Sequence, residues 1–163
     1  MNNSISLIGM AGAGKSSVGI ELAKQLNLQF VDSDALIEAQ FNQTLQNILD
    51  DSGYLKLRDI EEETILSIEL TNSILATGGS AVYSARAMQY LKQNSLVIYL
   101  EVPFYQILQR VPSFLDRGFA KEPNQSIKDA FQERQNLYSE SAHHVILNTG
   151  DLSSCVTKIL SLV

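Results

Sequence analysis

The stretch Gly9-Met10-Ala11-Gly12-Ala13-Gly14-Lys15-Ser16 decides the fold of this chain, because it follows the apolar run Ile5–Ile8 and has the spacing G-x-x-x-x-G-K-[S/T]. This pattern is typical of a phosphate-binding loop (P-loop) between a strand and a helix. Glycine lets the loop turn so that N–H groups converge on an anion, and the helix start adds positive partial charge. The sequence therefore predicts an α/β domain that binds nucleotide.

The chemistry of the loop points to a nucleoside triphosphate. Lys15 is expected to reach the β- and γ-phosphates, and the Ser16 hydroxyl is a ligand for Mg²⁺. A dinucleotide site would need G-x-G-x-x-G, and Ser17 stands where the last glycine would fall. The alternative is a glycine-rich turn with a solvated lysine. The predicted contacts to ATP are Gly9, Gly12, Ala13, Gly14, Lys15, Ser16 and Ser17.

Composition limits the remaining possibilities. The chain has 163 residues, 45% of them hydrophobic, and no Pro/Gly/Ser-rich linker, so we expect one domain over 1–163. A net charge of −6 and a pI near 4.8 argue against nucleic acid as a partner. Cys155 is the only cysteine, which excludes a disulfide within the chain and fits a reduced cytoplasmic location. No basic leader or long apolar run indicates export or a membrane span, and we expect a monomer.

Short apolar runs alternate with amphipathic stretches, which predicts a doubly wound, five-stranded parallel sheet flanked by helices. The predicted strands are Ser4–Ile8, Gln29–Val31, Ile74–Ala76, Leu96–Leu100 and Val145–Leu147. The predicted helices are Lys15–Leu26, Ser33–Phe41, Thr44–Asp51, Leu55–Leu70, Ser84–Gln93, Pro103–Gln109, Ser126–Tyr138 and Leu152–Leu162. Ligands of such sheets bind beyond the carboxyl ends of the strands, so the residues after each strand are the candidates for a site.

The longest polar connection, Val111–Gln125, predicts a mobile lid over the nucleotide site. Arg117 within it would supply charge to the transferring phosphoryl group when the lid closes. Arg110 is a competing candidate, and Arg134 lies beyond the lid. A solvated surface cation is the alternative for all three arginines.

The second strand ends in Asp32-Ser33-Asp34, whose two carboxylates point to the same side of an extended chain. One can hold the water shell of Mg²⁺ beside Ser16, and the other can orient an acceptor hydroxyl or take its proton. The alternative is that Asp32 or Ser33 caps the next helix, and capping does not exclude catalysis.

Two further features are ambiguous from spacing alone. Glu61 follows Arg58 by one helical turn, so its carboxylate is expected to orient the guanidinium, although a surface ion pair has the same spacing. The turn Thr77-Gly78-Gly79 offers backbone N–H groups that a ligand can approach closely. His143 and His144 are adjacent, point to opposite faces of a strand and are interpreted as structural.

In combination, these motifs resemble the shikimate kinases, over nearly the whole chain. The resemblance rests on Gly9–Ser16, on Asp32-Ser33-Asp34, on Leu57-Arg58 with Glu61, on the turn Ala76–Val82, and on Glu133-Arg134 followed by Tyr138 and Ala142. It implies ATP-dependent phosphorylation of the 3-hydroxyl of shikimate. It also implies acceptor contacts from Asp34, Arg58, Gly78, Gly79 and Arg134, phosphate contacts from Lys15 and Arg117, and Mg²⁺ near Ser16 and Asp32.

The chain departs from the family pattern at several positions. Ser80 replaces the third glycine of the turn, Arg117-Gly118-Phe119-Ala120 replaces the usual Arg-Pro-Leu-Leu, and Asn148–Asp151 carries no arginine to stack on adenine. None of these changes removes a charge that phosphoryl transfer requires. A kinase of another sugar acid such as gluconate, and a nucleotide-binding module without catalytic activity, are the alternatives to a kinase of shikimate. In the kinase hypothesis Lys15, Asp34 and Arg117 are catalytic.

Overall fold

The computed structural model describes residues 3–163, which form one five-stranded parallel sheet in the order β2-β3-β1-β4-β5. The strands are β1 Ile5–Ile8, β2 Gln29–Asp32, β3 Ser73–Ala76, β4 Leu96–Glu101 and β5 His144–Leu147. The helices are α1 Lys15–Leu26, α2 Ser33–Phe41, α3 Leu45–Ser52, α4 Tyr54–Ser67, α5 Ala85–Asn94, α6 Phe104–Arg110, α7 Ile127–Ser141 and α8 Leu152–Leu160, and a short 3-10 helix spans Ala81–Tyr83. The predicted architecture is confirmed.

Helix α4 is shorter than predicted. It ends at Ser67, because Ile68 takes an extended conformation with φ −78° and ψ 124°. Ile68 and Leu70 are buried while Glu69 between them is exposed, an alternation that fits extended chain leading into β3. The sequence predicts a longer helix because apolar residues such as Ile68 and Leu70 fit the end of a helix as well as an extended segment.

The core lies on both faces of the three central strands. β1 and β3 are fully buried, whereas β2 and β5 at the sheet edges are partly exposed. A second, smaller apolar cluster lies away from the sheet, among α2, α3 and α4, and includes one residue of the predicted lid; its buried members are Ile37, Ile48, Leu57, Ile60 and Ala120. The lid is therefore anchored on the α2–α4 side of the molecule.

The register of the strands brings their carboxyl ends to one edge of the sheet. Asp32 and Leu7 both pair with Ala76, and Ile8 pairs with Tyr99. The P-loop, the end of β2 and the turn after β3 therefore lie side by side, as the sequence predicts. In the part of the chain that the structure describes, no helix has the length and apolarity of a membrane span.

Candidate active site

The P-loop follows β1 and wraps around its own lysine. Gly14 has φ 91°, a left-handed conformation that glycine adopts without strain, and α1 begins at the next residue. At Gly9 a Cβ would lie 2.7 Å from the carbonyl oxygen of Leu100, so only glycine allows the loop to approach β4 this closely. The loop thus has the shape that the G-x-x-x-x-G-K-S pattern predicts.

Lys15 is buried and hydrogen-bonded rather than solvated. Its Nζ donates to the carbonyl oxygens of Gly9 at 2.7 Å and Met10 at 2.9 Å. Burial lowers the pKa of Lys15 to about 8, and the nearby carboxylates of Asp34 and Glu61 partly oppose this shift. A triphosphate in the loop would favour the charged amine, because an adjacent anion stabilises the protonated form. The turn with a solvated lysine is excluded.

The two predicted metal-binding groups lie together. The Ser16 hydroxyl donates to Oδ2 of Asp32 at 2.7 Å, while Oδ1 of Asp32 accepts from the backbone N–H groups of Asp34 and Ala35. Asp32 therefore caps α2, as the alternative stated, and still presents one oxygen to the P-loop. Capping and proximity to the P-loop are combined in one side chain.

The carboxyl groups of Asp34 and Glu61 both pack against Gly78. A Cβ on Gly78 would lie 2.6 Å from Oδ1 of Asp34 and 2.9 Å from Cδ of Glu61, so any side chain at this position would collide with both carboxyl groups. The N–H of Gly78 donates to the Ser33 hydroxyl at 3.0 Å. Gly78 thus leaves room for the two carboxyl groups, and its N–H is already paired within the protein.

The expected pairing of Glu61 with Arg58 is wrong. Glu61 is buried and accepts a hydrogen bond from the Ser80 hydroxyl through Oε2, while its Oε1 has no hydrogen-bond partner among the described residues. The sequence held a usable signal, because Leu57, Ile60 and Glu61 form one buried stripe of α4. Ser80, which the family pattern does not contain, therefore takes the place of Arg58 as the partner of this carboxylate.

Burial raises the pKa of both carboxyl groups beside Gly78, to about 6 for Asp34 and about 7 for Glu61. Each group prefers its neutral form because it is removed from water. The Asp34 charge raises the pKa of Glu61 further, whereas the Ser80 hydrogen bond lowers it. Two acids with raised pKa values beside a P-loop are typical of a site that moves protons.

The raised pKa of Glu61 predicts a pH dependence of stability. Its ordinary pKa is 4.5, so between about pH 4.5 and 7 the folded state holds more protons than the unfolded state, and stability falls as the pH rises. Glu61→Gln should therefore gain stability relative to the parent as the pH is raised from 5 to 8, by on the order of 1–3 kcal/mol. Urea unfolding at both pH values measures this gain. Exposed Glu63→Gln in the same helix is the control, and an equal gain in that variant would contradict the assignment to Glu61.

Arg58 and Arg134 converge on one oxygen. The NH2 group of Arg58 donates to the Ala120 carbonyl at 3.0 Å, and the NH2 group of Arg134 donates to the same carbonyl at 2.6 Å. Arg134 is buried, so it is not the solvated surface cation of the alternative, and half-buried Arg58 binds the lid and does not form a surface ion pair with Glu61. The Nε atoms of both side chains are buried and lack a hydrogen-bond partner among the described residues. Arg134 and Ala120 line a cavity that Asp34 also lines, and Arg58 reaches its edge through the Ala120 carbonyl.

Aromatic rings hold these guanidinium groups in place, which the sequence did not reveal. Arg58 lies over the Tyr83 ring at 3.7 Å and near Tyr54 at 5.0 Å, and Arg134 lies over the Phe119 ring at 4.1 Å. Such stacking on a ring favours arginine over lysine. The turn after β3 also contacts α7, because the Tyr138 hydroxyl donates a hydrogen bond to the Gly79 carbonyl.

Arg117 lies between two cavities. The larger has a volume of about 460 Å³ and runs along the P-loop past Ser16, Asp32 and Gly79, and the smaller, of about 50 Å³, is lined by Asp34, Glu61, Ser80 and Arg134. Arg117 lines both cavities, as do Asp34 and Gly79. The two cavities therefore meet beside these three residues.

The side of the P-loop that faces Asn148, where the family resemblance predicts adenine, holds an arginine that the sequence left ambiguous. Arg110 donates to the carbonyls of Gly12 and Asn148, at 3.3 Å and 2.8 Å. A 210 Å³ cavity there is lined by Arg110, Asn148 and Ser17, among others. Arg110 lines this cavity and neither of the two cavities that Arg117 lines, which favours Arg117 as the arginine near the transferring group.

Comparison with known proteins agrees with this arrangement. A model of the shikimate kinase family matches residues 11–163. The chain belongs to this family. Shikimate kinase from Acinetobacter baumannii (strain AYE) is 37% identical over 165 residues, covering 98% of this chain and 91% of that protein. The structure of shikimate kinase from Acinetobacter baumannii in complex with shikimate superimposes with a TM-score of 0.89 at 35% identity, over 99% of this chain and 93% of that one.

More distant kinases share the fold. A gluconokinase from Sinorhizobium meliloti 1021 superimposes with a TM-score of 0.52 at 16% identity, over 98% of this chain and 90% of that one. At this identity the similarity concerns only the architecture. Membership of the shikimate kinase family makes the chain an ATP-dependent kinase whose acceptor group is a hydroxyl.

Proposed function

We propose that this protein transfers the γ-phosphate of ATP to the 3-hydroxyl of shikimate, giving shikimate 3-phosphate and ADP. The observation that carries the proposal is the convergence of Arg58 and Arg134 on one oxygen beside Asp34. Planar guanidinium groups bind a carboxylate with paired hydrogen bonds, so this pocket fits an acid that also bears a hydroxyl. The family supplies the identity of that acid.

In the proposed mechanism Asp34 orients the acceptor hydroxyl and takes its proton as the oxygen attacks the γ-phosphate in line. A base with a pKa near 6 suits proton transfer at neutral pH. Lys15 and Arg117 stabilise the negative charge on the transferring group, Lys15 from the P-loop and Arg117 from the lid. The backbone of Gly12 and Gly14 cradles the phosphates, and Gly79 lets the acceptor approach the turn.

Ser16 and Asp32 would hold Mg²⁺ with the nucleotide. The hydroxyl and the one available carboxylate oxygen are hard ligands, and a site with only two protein groups suits an ion that keeps its waters and phosphate oxygens. The ion would supply positive charge beside the β- and γ-phosphates. Among the described residues no cluster of three or more acidic, His or Cys side chains offers another metal site.

An ADP-release assay with a panel of acceptors tests the function. Shikimate, quinate, gluconate and nucleoside monophosphates would be compared at equal concentrations with Mg-ATP. We expect ADP release to depend on shikimate and to be weak with the others. Faster ADP release with gluconate would show that gluconate, and not shikimate, is the acceptor. ATP binding without ADP release for any acceptor would support the alternative of a non-catalytic nucleotide-binding module.

Replacing either arginine by lysine tests the charge of the acceptor. Arg58→Lys and Arg134→Lys keep the positive charge but lose the fork of donors, so each should raise the KM for shikimate by roughly ten- to hundred-fold while the KM for ATP stays nearly unchanged. Steady-state kinetics with each substrate varied measures both constants. Arg86→Lys is the control, because Arg86 pairs with Glu62 on the surface.

A neutral analogue separates recognition of the carboxylate from general damage to the pocket. The parent enzyme should prefer shikimate over its carboxamide, and Arg58→Ala and Arg134→Ala should lose much of that preference. Equal preference in the parent and both variants would show that these arginines do not bind a carboxylate.

We also propose that the protein acts as a monomer in the cytoplasm. Its one cysteine, Cys155, is a buried free thiol, which fits a reducing compartment. The nucleotide and acceptor cavities are both lined by residues of one chain. Light scattering at micromolar concentration tests the monomer, and a mass of twice 18.0 kDa would contradict it.

A further inference from the structure

The lid contains a backbone turn that only glycine allows. Gly118 has φ 61°, and a Cβ at this position would lie 2.6 Å from the carbonyl carbon of Leu45 and 2.9 Å from its oxygen. Both contacts are with backbone, so the neighbour cannot move aside by rotating a side chain. The N–H of Gly118 donates to Oε1 of Gln46 at 2.9 Å. The turn therefore packs directly on the first residues of α3.

This turn directs the next two residues onto Arg58 and Arg134, the two arginines proposed to bind the acceptor and called the acceptor arginines below. Phe119 packs against the guanidinium of Arg134, and the Ala120 carbonyl receives hydrogen bonds from Arg58 and Arg134. Both lid residues are buried, with Ala120 only 3% exposed. The usual proline at position 118 has φ near −65° and no N–H, so it could form neither this turn nor the bond to Gln46.

The guanidinium groups have donors left after they bind the lid. Each has five N–H bonds, of which one on NH2 goes to the Ala120 carbonyl, and each Nε–H is buried without a partner among the described residues. A buried unpaired donor is costly, so these atoms mark where a carboxylate would bind. The same two side chains can thus hold the lid and the acceptor together.

We propose that Gly118 is a positioning residue, whose turn docks the lid on the acceptor arginines and thereby holds Arg117 between the nucleotide and acceptor cavities. The inference rests on the proposed function, since it assigns Arg117 to the transferring phosphoryl group. Arg117 precedes the turn directly and lines both cavities. The lid of this chain therefore docks through contacts that depend on Gly118, Phe119 and Ala120.

Gly118→Ala tests the proposal, with Gly53→Ala as the matched control. Gly53 also has a positive φ, 82°, but a Cβ there would meet no atom within 4 Å. Both variants carry backbone strain at a positive φ, which at Gly53 is combined with ψ 167°, a conformation essentially restricted to glycine, and only Gly118→Ala pushes the lid off α3. We expect kcat with Mg-ATP and shikimate to fall about 10- to 100-fold in Gly118→Ala and to stay within about two-fold in Gly53→Ala.

The rate of amide hydrogen exchange in the lid measures its docking independently of catalytic activity. Amides in the segment 113–121 should exchange faster in Gly118→Ala than in the parent or in Gly53→Ala. Gln46→Ala keeps the glycine and removes the acceptor of its N–H, together with the bond from Gln46 Nε2 to Asp50 within α3, so it should raise lid exchange by roughly two- to ten-fold. Unchanged exchange in both lid variants would overturn the proposal.

A double-mutant cycle tests whether Gly118 acts through Arg117. If it does, Gly118→Ala should cost little kcat when Arg117 is already methionine. Losses that multiply in the double variant would overturn the positioning role. The proposed function can fail independently of the docking of the lid. If lid amides exchange faster in Gly118→Ala but no shikimate-dependent ADP release is found, shikimate is rejected as the acceptor and the docking of the lid is retained. The assignment of Arg117 to the transferring phosphoryl group would then be removed.

Discussion

Asp34→Asn is expected to lower shikimate-dependent turnover by about 10²–10⁴-fold, the usual contribution of a general base. The amide keeps the size of the carboxylate but cannot take a proton. Nucleotide binding should change much less, because the oxygen that faces Ser16 belongs to Asp32. Single-turnover rates and a separate titration with ATP measure the two effects.

The position of Asp34 makes this variant informative. Asp34 lines both cavities, and its carboxyl group packs against Gly78 together with that of Glu61. Asp34→Asn removes one of two neighbouring charges, so it should be no less stable than the parent at pH 8. If ATP affinity collapses while turnover at saturation persists, Asp34 belongs with the metal ion and Asp32 becomes the candidate base.

Lys15→Met is expected to reduce turnover by on the order of 10²-fold or more, as does the loss of other donors that contact the transition state. Methionine fills similar space without the charge on the β- and γ-phosphates. Turnover at saturating ATP and shikimate measures the loss. Near-normal turnover in a folded variant would reject the assignment of the phosphate loop.

The control for Lys15→Met has to account for the burial of this side chain. Its amine donates to two loop carbonyls, so the substitution leaves the Gly9 and Met10 oxygens without these donors. Circular dichroism and thermal unfolding should show an intact fold with modestly lower stability. Lys24→Met at the end of the same helix removes an exposed cation and should leave turnover unchanged.

The architecture could be predicted because its signals are local. Apolar runs of four to six residues, amphipathic stretches and the glycine pattern after β1 each specify their element without reference to the rest of the chain. The site at the carboxyl edge follows from the parallel arrangement, since every strand contributes its end to the same side.

The partners of individual side chains were harder to predict. Arg58 and Glu61 are neighbours on one helix, but α4 turns Glu61 inward and Arg58 toward the lid, 62 residues further along the chain. Spacing tells which residues share a helical face and does not tell what packs against that face. The Ser80 hydroxyl that binds Glu61 comes from another element, so no local pattern could reveal it.

The lid illustrates the same limit. Its length and polarity predict a functional loop, and Arg117 is a candidate because it is an arginine within that loop; its role stays a prediction. The docking of the Ala120 carbonyl on two arginines depends on three elements that meet only in the folded protein. Backbone contacts of this kind leave no trace in residue types other than a glycine at the turn. The mobility of the lid stays a prediction.

Hydrogen bonds within the protein hold the P-loop in its shape. Lys15 binds two of its carbonyls, the Ala13 N–H donates to Met10, and the Asn148 amide donates to the Ala13 carbonyl at 2.8 Å. A nucleotide therefore enters a loop whose backbone entropy has already been lost in folding, and little of its binding energy goes into ordering the protein. In the proposed mechanism the lysine amine would exchange these protein oxygens for phosphate oxygens when ATP binds.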